Sequence, residues 1–190
     1  VQTITPSTIL KFDGMAAFKE NKLVGWLNED ESKGLNYTQG NVQNTIIVID
    51  QSDGQVGIEL INSTAEIIPH VHGSGPPSIE VKIEGEANIA EANTDLDLMT
   101  DHIFSELEEK TNEDIREKIT QGVEKSQKRY KSDIFGFGEQ IHKKAPDKWN
   151  EIKMNWKEMY PDIKVDINVN IKIRRVGTIT NPFHNELKED

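Results

Sequence analysis

The sequence predicts an α+β fold: an antiparallel or mixed β-sheet, several helices packed on one face, and a long C-terminal strand returning to the sheet. Three observations carry this expectation. The first half reads as strands and hairpins, the middle carries apolar residues at helical spacing, and "IKVDINVNIKI" (163–173) alternates apolar and polar without a break. Strands first, helices next and a strand last is the order of a domain whose helices cover one side of its sheet. At 190 residues the chain can bury one sizeable core.

The elements follow in order. "MAAFKENKLVGWL" (15–27) sets two short apolar runs around Glu20-Asn21-Lys22, a hairpin signature. The polar, glycine-punctuated "NEDESKGLNYTQGN" (28–41) reads as a loop or a short helix. In "TIIVIDQSDGQVGIELI" (45–61) an apolar run, the turn Ser52-Asp53-Gly54 and the alternation Val56, Ile58, Leu60 make a second hairpin. Ala65 and Ile67 fall out of phase with those three, which places a bulge or bend near Asn62-Ser63. "HGSGPP" (72–77) is a loop, and from Ile79 the residues Val81, Ile83, Gly85, Ala87 and Ile89 share one face. Leu96, Met99, Ile103 and Leu107 recur at helical spacing, Thr111 with Asp114 three residues on reads as a helix start, and Ile115, Ile119, Val123 and Tyr130 continue the stripe. Pro146 fits the first turn of a further helix carrying Trp149, Ile152, Trp156 and Met159 on one face, and Pro161 ends it. In the closing strand the apolar residues face a core, while Lys164, Asp166, Asn168, Asn170 and Lys172 face water.

Composition narrows the function. With 35% apolar and 29% charged residues this is an ordinary globular composition, and no run approaches the roughly 18 apolar residues of a membrane span. The absence of cysteine removes disulfides, thiolate catalysis and Cys-ligated zinc. The net charge of -11 is concentrated: residues 80–117 hold thirteen acids against three bases, whereas residues 133–190 balance ten against ten. Such a surface argues against nucleic acid and against direct adsorption to anionic lipid headgroups. The acidic cluster reads first as a solvated helix face.

The stretch that decides whether the chain does chemistry is "SDIFGFGEQIHKKAPDKW" (132–149). A Gly-x-Gly that cradles phosphate follows a strand and opens a helix. Here the motif lies within helical periodicity, with Ile134, Phe137, Gly138 and Ile141 on one face and Phe135 at its edge. Gly138 then sits mid-stripe, where a missing side chain lets another backbone approach. Gly136 points off that face without a packing reason, so Gly136→Ala is expected to be far milder than Gly138→Leu. No serine follows in an elbow pattern, and the stretch reads as structural. His70 and His72 would share one side of a strand, yet no third ligand follows, so no metal site is expected. His102, near Asp101 and Glu106, reads as part of a solvated pair. Trp149 and Trp156 read as core packing against the sheet. No cofactor and no catalytic set is expected.

"AFKENKLVGWLNEDESKG" (17–34) and the block from "KSDIFGFGEQIHKKAPDKW" to "RRVGTITNP" (131–182) resemble the C-terminal domain of the Ger(x)C proteins, the C subunits of spore germinant receptors in Bacillus-type spore formers. The similarity runs from about Phe18 to Pro182. It implies a non-enzymatic protein whose parent is a lipoprotein, anchored through a lipidated N-terminal cysteine at the outer surface of the spore inner membrane. It implies integral membrane A and B subunits as partners, together with two preceding domains of the parent protein. On this resemblance residues 1–190 form a single, third domain, without signal peptide, lipobox or the two N-terminal domains, and soluble by itself. Assembly and signalling are the expected role, and a module binding a small germinant is the alternative. Asp101, Glu106, Glu109 and Glu113 are the expected partner contacts. Phe135, Phe137, Gly138, Trp149 and Trp156 are the expected structural set.

Overall fold

In the computed structural model, which describes residues 13–40, 42–71, 73, 75–93 and 100–174, the chain opens with the expected hairpin. Strand β1 (Met15–Lys19) pairs antiparallel with β2 (Lys22–Leu27), with a bulge opposite Ala17 and Phe18. The inner face of the hairpin buries Ala17 and Leu27 against Tyr130. The polar stretch that follows is a helix, α1 (Glu29–Thr38). It starts where Asn28 and Glu31 satisfy each other's backbone: Glu31 N–H donates to Asn28 Oδ1 at 2.8 Å and Asn28 N–H to Glu31 Oε2 at 2.6 Å.

The main sheet has the order β3-β4-β5-β6, from β3 (Thr45–Gln51), β4 (Gly54–His70), β5 (Ser78–Asn93) and β6 (Val165–Ile173). The first three strands are antiparallel and β6 joins β5 in parallel, so the sheet is mixed. The out-of-phase positions of β4 are reconciled by a register shift between Leu60 and Asn62. Just beyond it, opposite Ser63, stands Gly85, where a Cβ would lie 2.4 Å from the Asn62 carbonyl oxygen. Only glycine admits that approach.

Helix α2 (Asp101–Glu124) lays Phe104, Leu107, Ile115, Ile119 and Val123 onto the sheet. Leu96 and Met99 lie outside the described residues. Thr111 does not start a helix. It is fully buried mid-helix, and its hydroxyl donates to the Leu107 carbonyl at 2.6 Å, the back-bond that satisfies a hydroxyl inside a helix. Helices α1 and α2 cross at their glycines: a Cβ on Gly34 would stand 2.2 Å from the Lys118 carbonyl oxygen.

At its end α2 widens into a π-helical turn, Lys125–Tyr130, which left-handed Lys131 (φ 46°) terminates. The turn is a junction. Gln127 Nε2 donates to the carbonyls of Tyr160 and Ile163, each at 3.0 Å, and the Ser126 and Tyr160 hydroxyls bond to each other. The Tyr130 hydroxyl donates to the Trp26 carbonyl at 2.6 Å. Three short helices follow: α3 (Phe137–Lys144), α4 (Pro146–Ile152) and α5 (Trp156–Met159). The expected single helix through Trp149 and Trp156 is therefore two, separated by a turn at residues 153–155.

The core lies between the sheet and the helices, where Val56, Ile58, Leu60, Val81 and Ile83 meet Leu107, Ile115, Ile119, Phe137 and Ile141. The outer edge of β6 is covered by α2. Ile171 N–H donates to Asn112 Oδ1 at 2.7 Å and Ile173 N–H to Glu108 Oε1 at 3.0 Å. Edge donors that would otherwise invite another strand are satisfied inside the domain.

Candidate functional site

Helix α2 has two unlike sides. The inner side holds the apolar stripe, and Glu108 and Asn112 serve β6. Asp101, Glu106, Glu109 and Glu113 lie at offsets 0, 5, 8 and 12, which at 100° per residue places all four within one arc of about 140°. Asp101, Glu109 and Glu113 are exposed and Glu106 is half-buried. Glu106 is held at 2.7 Å by Lys110, whose ammonium keeps its carboxyl below the usual range. Glu113 pairs with Arg116 one turn on. Exposed pairs of this kind stabilise a helix by only about 0.3–0.5 kcal/mol, and the arc remains an acidic surface.

The aromatic set assembles around Gly138 of α3. A Cβ there would stand 2.8 Å from Trp156 Nε1 and 2.9 Å from the Trp149 ring, so the neighbours are two indoles rather than another backbone. Trp149 and Trp156 meet edge-on at 5.6 Å between centroids, Trp156 lies 5.8 Å from Tyr160, and Phe135 stacks on Phe137 at 5.5 Å. Gly136 has a definite reason as well: it is left-handed, with φ 77°, immediately before the first residue of α3. Helical periodicity does not run through it, and the helix begins at Phe137.

The residue that sequence reasoning missed is Asp133. Its carboxylate accepts from Phe137 N–H at 3.0 Å, from Gly138 N–H at 2.7 Å and from Trp156 Nε1–H at 3.2 Å. The Gly-Phe-Gly turn is thus an anion cradle filled by the chain's own side chain. Burial pushes the Asp133 carboxyl up, and the N–H groups of Gly138 and Phe137 and the Trp156 indole oppose that rise. An acid close before a helix start was the available signal. It was hidden because the start was placed too early.

His70 Nε2 lies 2.9 Å from Glu80 Oε2, and Glu80 also accepts from Asn168 at 2.8 Å. These bonds, that from His70 first, hold the Glu80 carboxyl below its ordinary range. His72 lies outside the described residues, among which no group of three or more His, Asp or Glu could hold a metal ion. The grooves flanking β3 enclose about 220, 250 and 370 Å³ and all open to solvent. Ligand pockets bury most of the ligand's surface, which grooves this open do not. No helix among the described residues is long and apolar enough to cross a membrane.

Residues 13–177 match the model of the family described as spore germination B3/GerAC like, C-terminal. The chain belongs to that family. Spore germination protein KC of Bacillus subtilis (strain 168) is 31% identical over 193 residues, covering 100% of this chain and 47% of the relative. Spore germination protein B3 of the same organism is 25% identical over 172 residues, covering 89% of the chain and 46% of the relative. The chain therefore spans about half the length of the curated relatives it matches. The crystal structure of the GerBC protein superposes with a TM-score of 0.76 over 87% of this chain and 52% of that one, at 23% identity, and shows the same fold. The family is one of spore germination and is not a known enzyme family.

Proposed function

We propose that this chain is the third, C-terminal domain of a germinant-receptor C subunit and that it works in receptor assembly and signalling, not as a catalyst or as the germinant sensor. The observation that carries the reading is the division of labour on α2. Its inner side is committed to the core and to the β6 edge, while Asp101, Glu106, Glu109 and Glu113 share an outer arc on which Glu106 pairs with Lys110 and Glu113 with Arg116 of the same helix. Charge of one sign orients an encounter and fixes its register more than it adds raw affinity. The partners proposed are the membrane-embedded A and B subunits and the preceding domains of the parent protein. The place proposed is the outer surface of the spore inner membrane, reached through the parent's lipid anchor. The open grooves beside β3 favour this over the germinant-binding alternative.

Reversal of all four acids to lysine is expected to lower A- and B-subunit levels in spores severalfold while the purified domain keeps its circular dichroism spectrum. Normal subunit levels with normal germination rule this face out. Tight calorimetric binding of a germinant to the isolated domain overturns the assembly reading.

A further inference from the structure

We propose that the free edge of β3 is a strand-addition site, and that its occupant is an extended segment of another protein carrying apolar and basic side chains on one face. β3 and β6 are the two edges of the sheet, and they differ. The β6 edge is occupied by Asn112 and Glu108 of α2. Along β3 there is only the Lys110 ammonium, 3.4 Å from the Asp50 carbonyl near the end of the strand. Gln51 and Gly54 close a two-residue turn, so alternation points the N–H and C=O groups of Ile46 and Val48 away from β4. Among the described residues nothing hydrogen-bonds to those groups. Edges are usually blunted by lysine, proline or a bulge. β3, "TIIVIDQ", has none of these.

Apolar surface accompanies the edge. Ile46 and Val48 are 52% and 55% exposed on the outer face of the sheet, opposite to the face on which Ile47 and Ile49 enter the core. Gly57 of β4 stands opposite Val48, and a Cβ there would lie 3.7 Å from Ile46 Cγ2 and 3.8 Å from Glu91 Cβ. The missing side chain leaves the groove of about 250 Å³, with Ile46 and Val48 on one wall and Glu91 on the other. On the inner face, Thr45 to Val48 border the groove of about 220 Å³ that α1 and α2 close off. A strand laid along β3 thus finds a groove for each of its two rows of side chains. Strand addition takes its affinity from the main chain and its specificity from such alternating pockets.

Charge selects the occupant. Residues opposite each other in a ladder share a face, which puts three carboxylates beside Ile46 and Val48 on the outer side. Asp50 is two positions past Val48, Glu59 is opposite Ile46, and Glu91 is opposite Gly57. None of the three meets a cation in the ion pairs of the described residues; Asp50 accepts from the neutral Gln55 amide at 2.8 Å. No lysine or arginine occurs in residues 45–61 or 87–93. At a strand spacing of about 4.8 Å, a lysine or arginine on the added strand is the direct neighbour of Asp50. A second copy of this chain would instead bring the same three acids, and a net charge of -11, to the seam. This inference does not rest on the acidic arc of α2, which lies in the helical layer.

The test is fluorescence anisotropy of a labelled peptide titrated with the purified 190-residue chain. The nine-residue peptide has threonine at odd positions and lysine, valine, valine and lysine at even ones. In antiparallel pairing its valines meet Ile46 and Val48 and one lysine meets Asp50. Binding is expected, and it should weaken in 1 M salt. N-methylation of the two valines, whose N–H groups face β3, should lower affinity by roughly tenfold or more. N-methylation of two threonines, whose N–H groups face away, should leave it nearly unchanged. Asp50→Asn with Glu59→Gln and Glu91→Gln should lower it about tenfold and flatten its salt dependence. Val48→Pro removes an outward donor without touching the bonds to β4, so it should abolish binding while circular dichroism is kept. Equal binding of the peptide N-methylated at valine overturns strand addition, as does absence of binding at millimolar peptide. Dimerisation of the chain that Val48→Pro removes, without peptide binding, overturns the proposal in favour of a second copy.

Discussion

Asp133, Gly136 and Gly138 act together as the start of α3, and each is constrained differently. Gly138 is constrained by space, since the Trp149 and Trp156 rings lie under 3 Å from where its Cβ would be. Gly136 is constrained by its left-handed backbone, with nothing within 4 Å of its Cβ position. Gly138→Leu should therefore lower stability by about 2 kcal/mol or more through overpacking. Gly136→Ala should cost about 1–2 kcal/mol through the left-handed conformation alone, so the two are closer than periodicity suggested. Urea midpoints compared at equal m-value would show it, and an unshifted midpoint for Gly136→Ala would contradict the backbone argument. Asp133→Ala leaves two backbone N–H groups and an indole N–H without their acceptor and should cost about 2 kcal/mol at neutral pH. The pH dependence has a definite sign. A carboxyl raised in the folded state binds its proton more tightly there than in the unfolded chain, whose Asp titrates near about 3.9. The contribution of Asp133 to stability thus falls as pH rises from that value through its raised folded one, and is flat above. The margin of the wild type over Asp133→Asn should shrink with rising pH across that acid window; a margin that widens there would refute the raised carboxyl.

The contact between α1 and α2 turns on Gly34, where a Cβ would enter the carbonyl of Lys118. Backbone cannot yield as a flexible side-chain end can, so Gly34→Ala should cost about 3 kcal/mol. A loss below about 0.5 kcal/mol by denaturant titration would mean that the helices separate freely. The same elements show what could be read without coordinates. The β3–β4 hairpin, the bulge at Asn62 and the alternation of β6 were legible because a period of two admits one assignment when one face is buried. The interior of α2 was not. Thr111 followed by Asp114 looks the same whether the threonine caps a helix or bonds back within one, and burial, a tertiary property, decides between them. Trp149 and Trp156, seven apart, suit one continuous helix equally well; in the fold a turn at 153–155 separates them and both indoles close over Gly138. The acidic arc was legible as a set, since helical phase alone groups its four members. The contact of Lys19 with Lys131 was not, because the two meet only through the fold.

At the scale of the molecule, charge and topology are both segregated. Acids line the outer side of α2, while lysines gather where the π-helical turn meets the first hairpin. The sheet is likewise divided, three antiparallel strands from the first half of the chain and one parallel strand from its end. A chain ending at Asp162 should retain helical signal but lose near-ultraviolet circular dichroism, because β6 supplies Val169, Ile171 and Ile173 to the core. Native-like tertiary signal in that truncation would show the strand to be dispensable.

The parallel placement of β6 also sets a clock. Val165 pairs beside Ile79, yet everything between Asn93 and Val165 must be synthesised first. At 5–20 residues per second this leaves the flank of β5 bare for roughly 4–14 s on the ribosome. Until β6 arrives, Glu108 and Asn112 have no strand to hold, and the nascent sheet offers its open side to any neighbouring chain. The yield of folded protein then depends less on final stability than on what shields that flank during those seconds, which makes slower, cooler expression or a co-expressed holdase the practical lever.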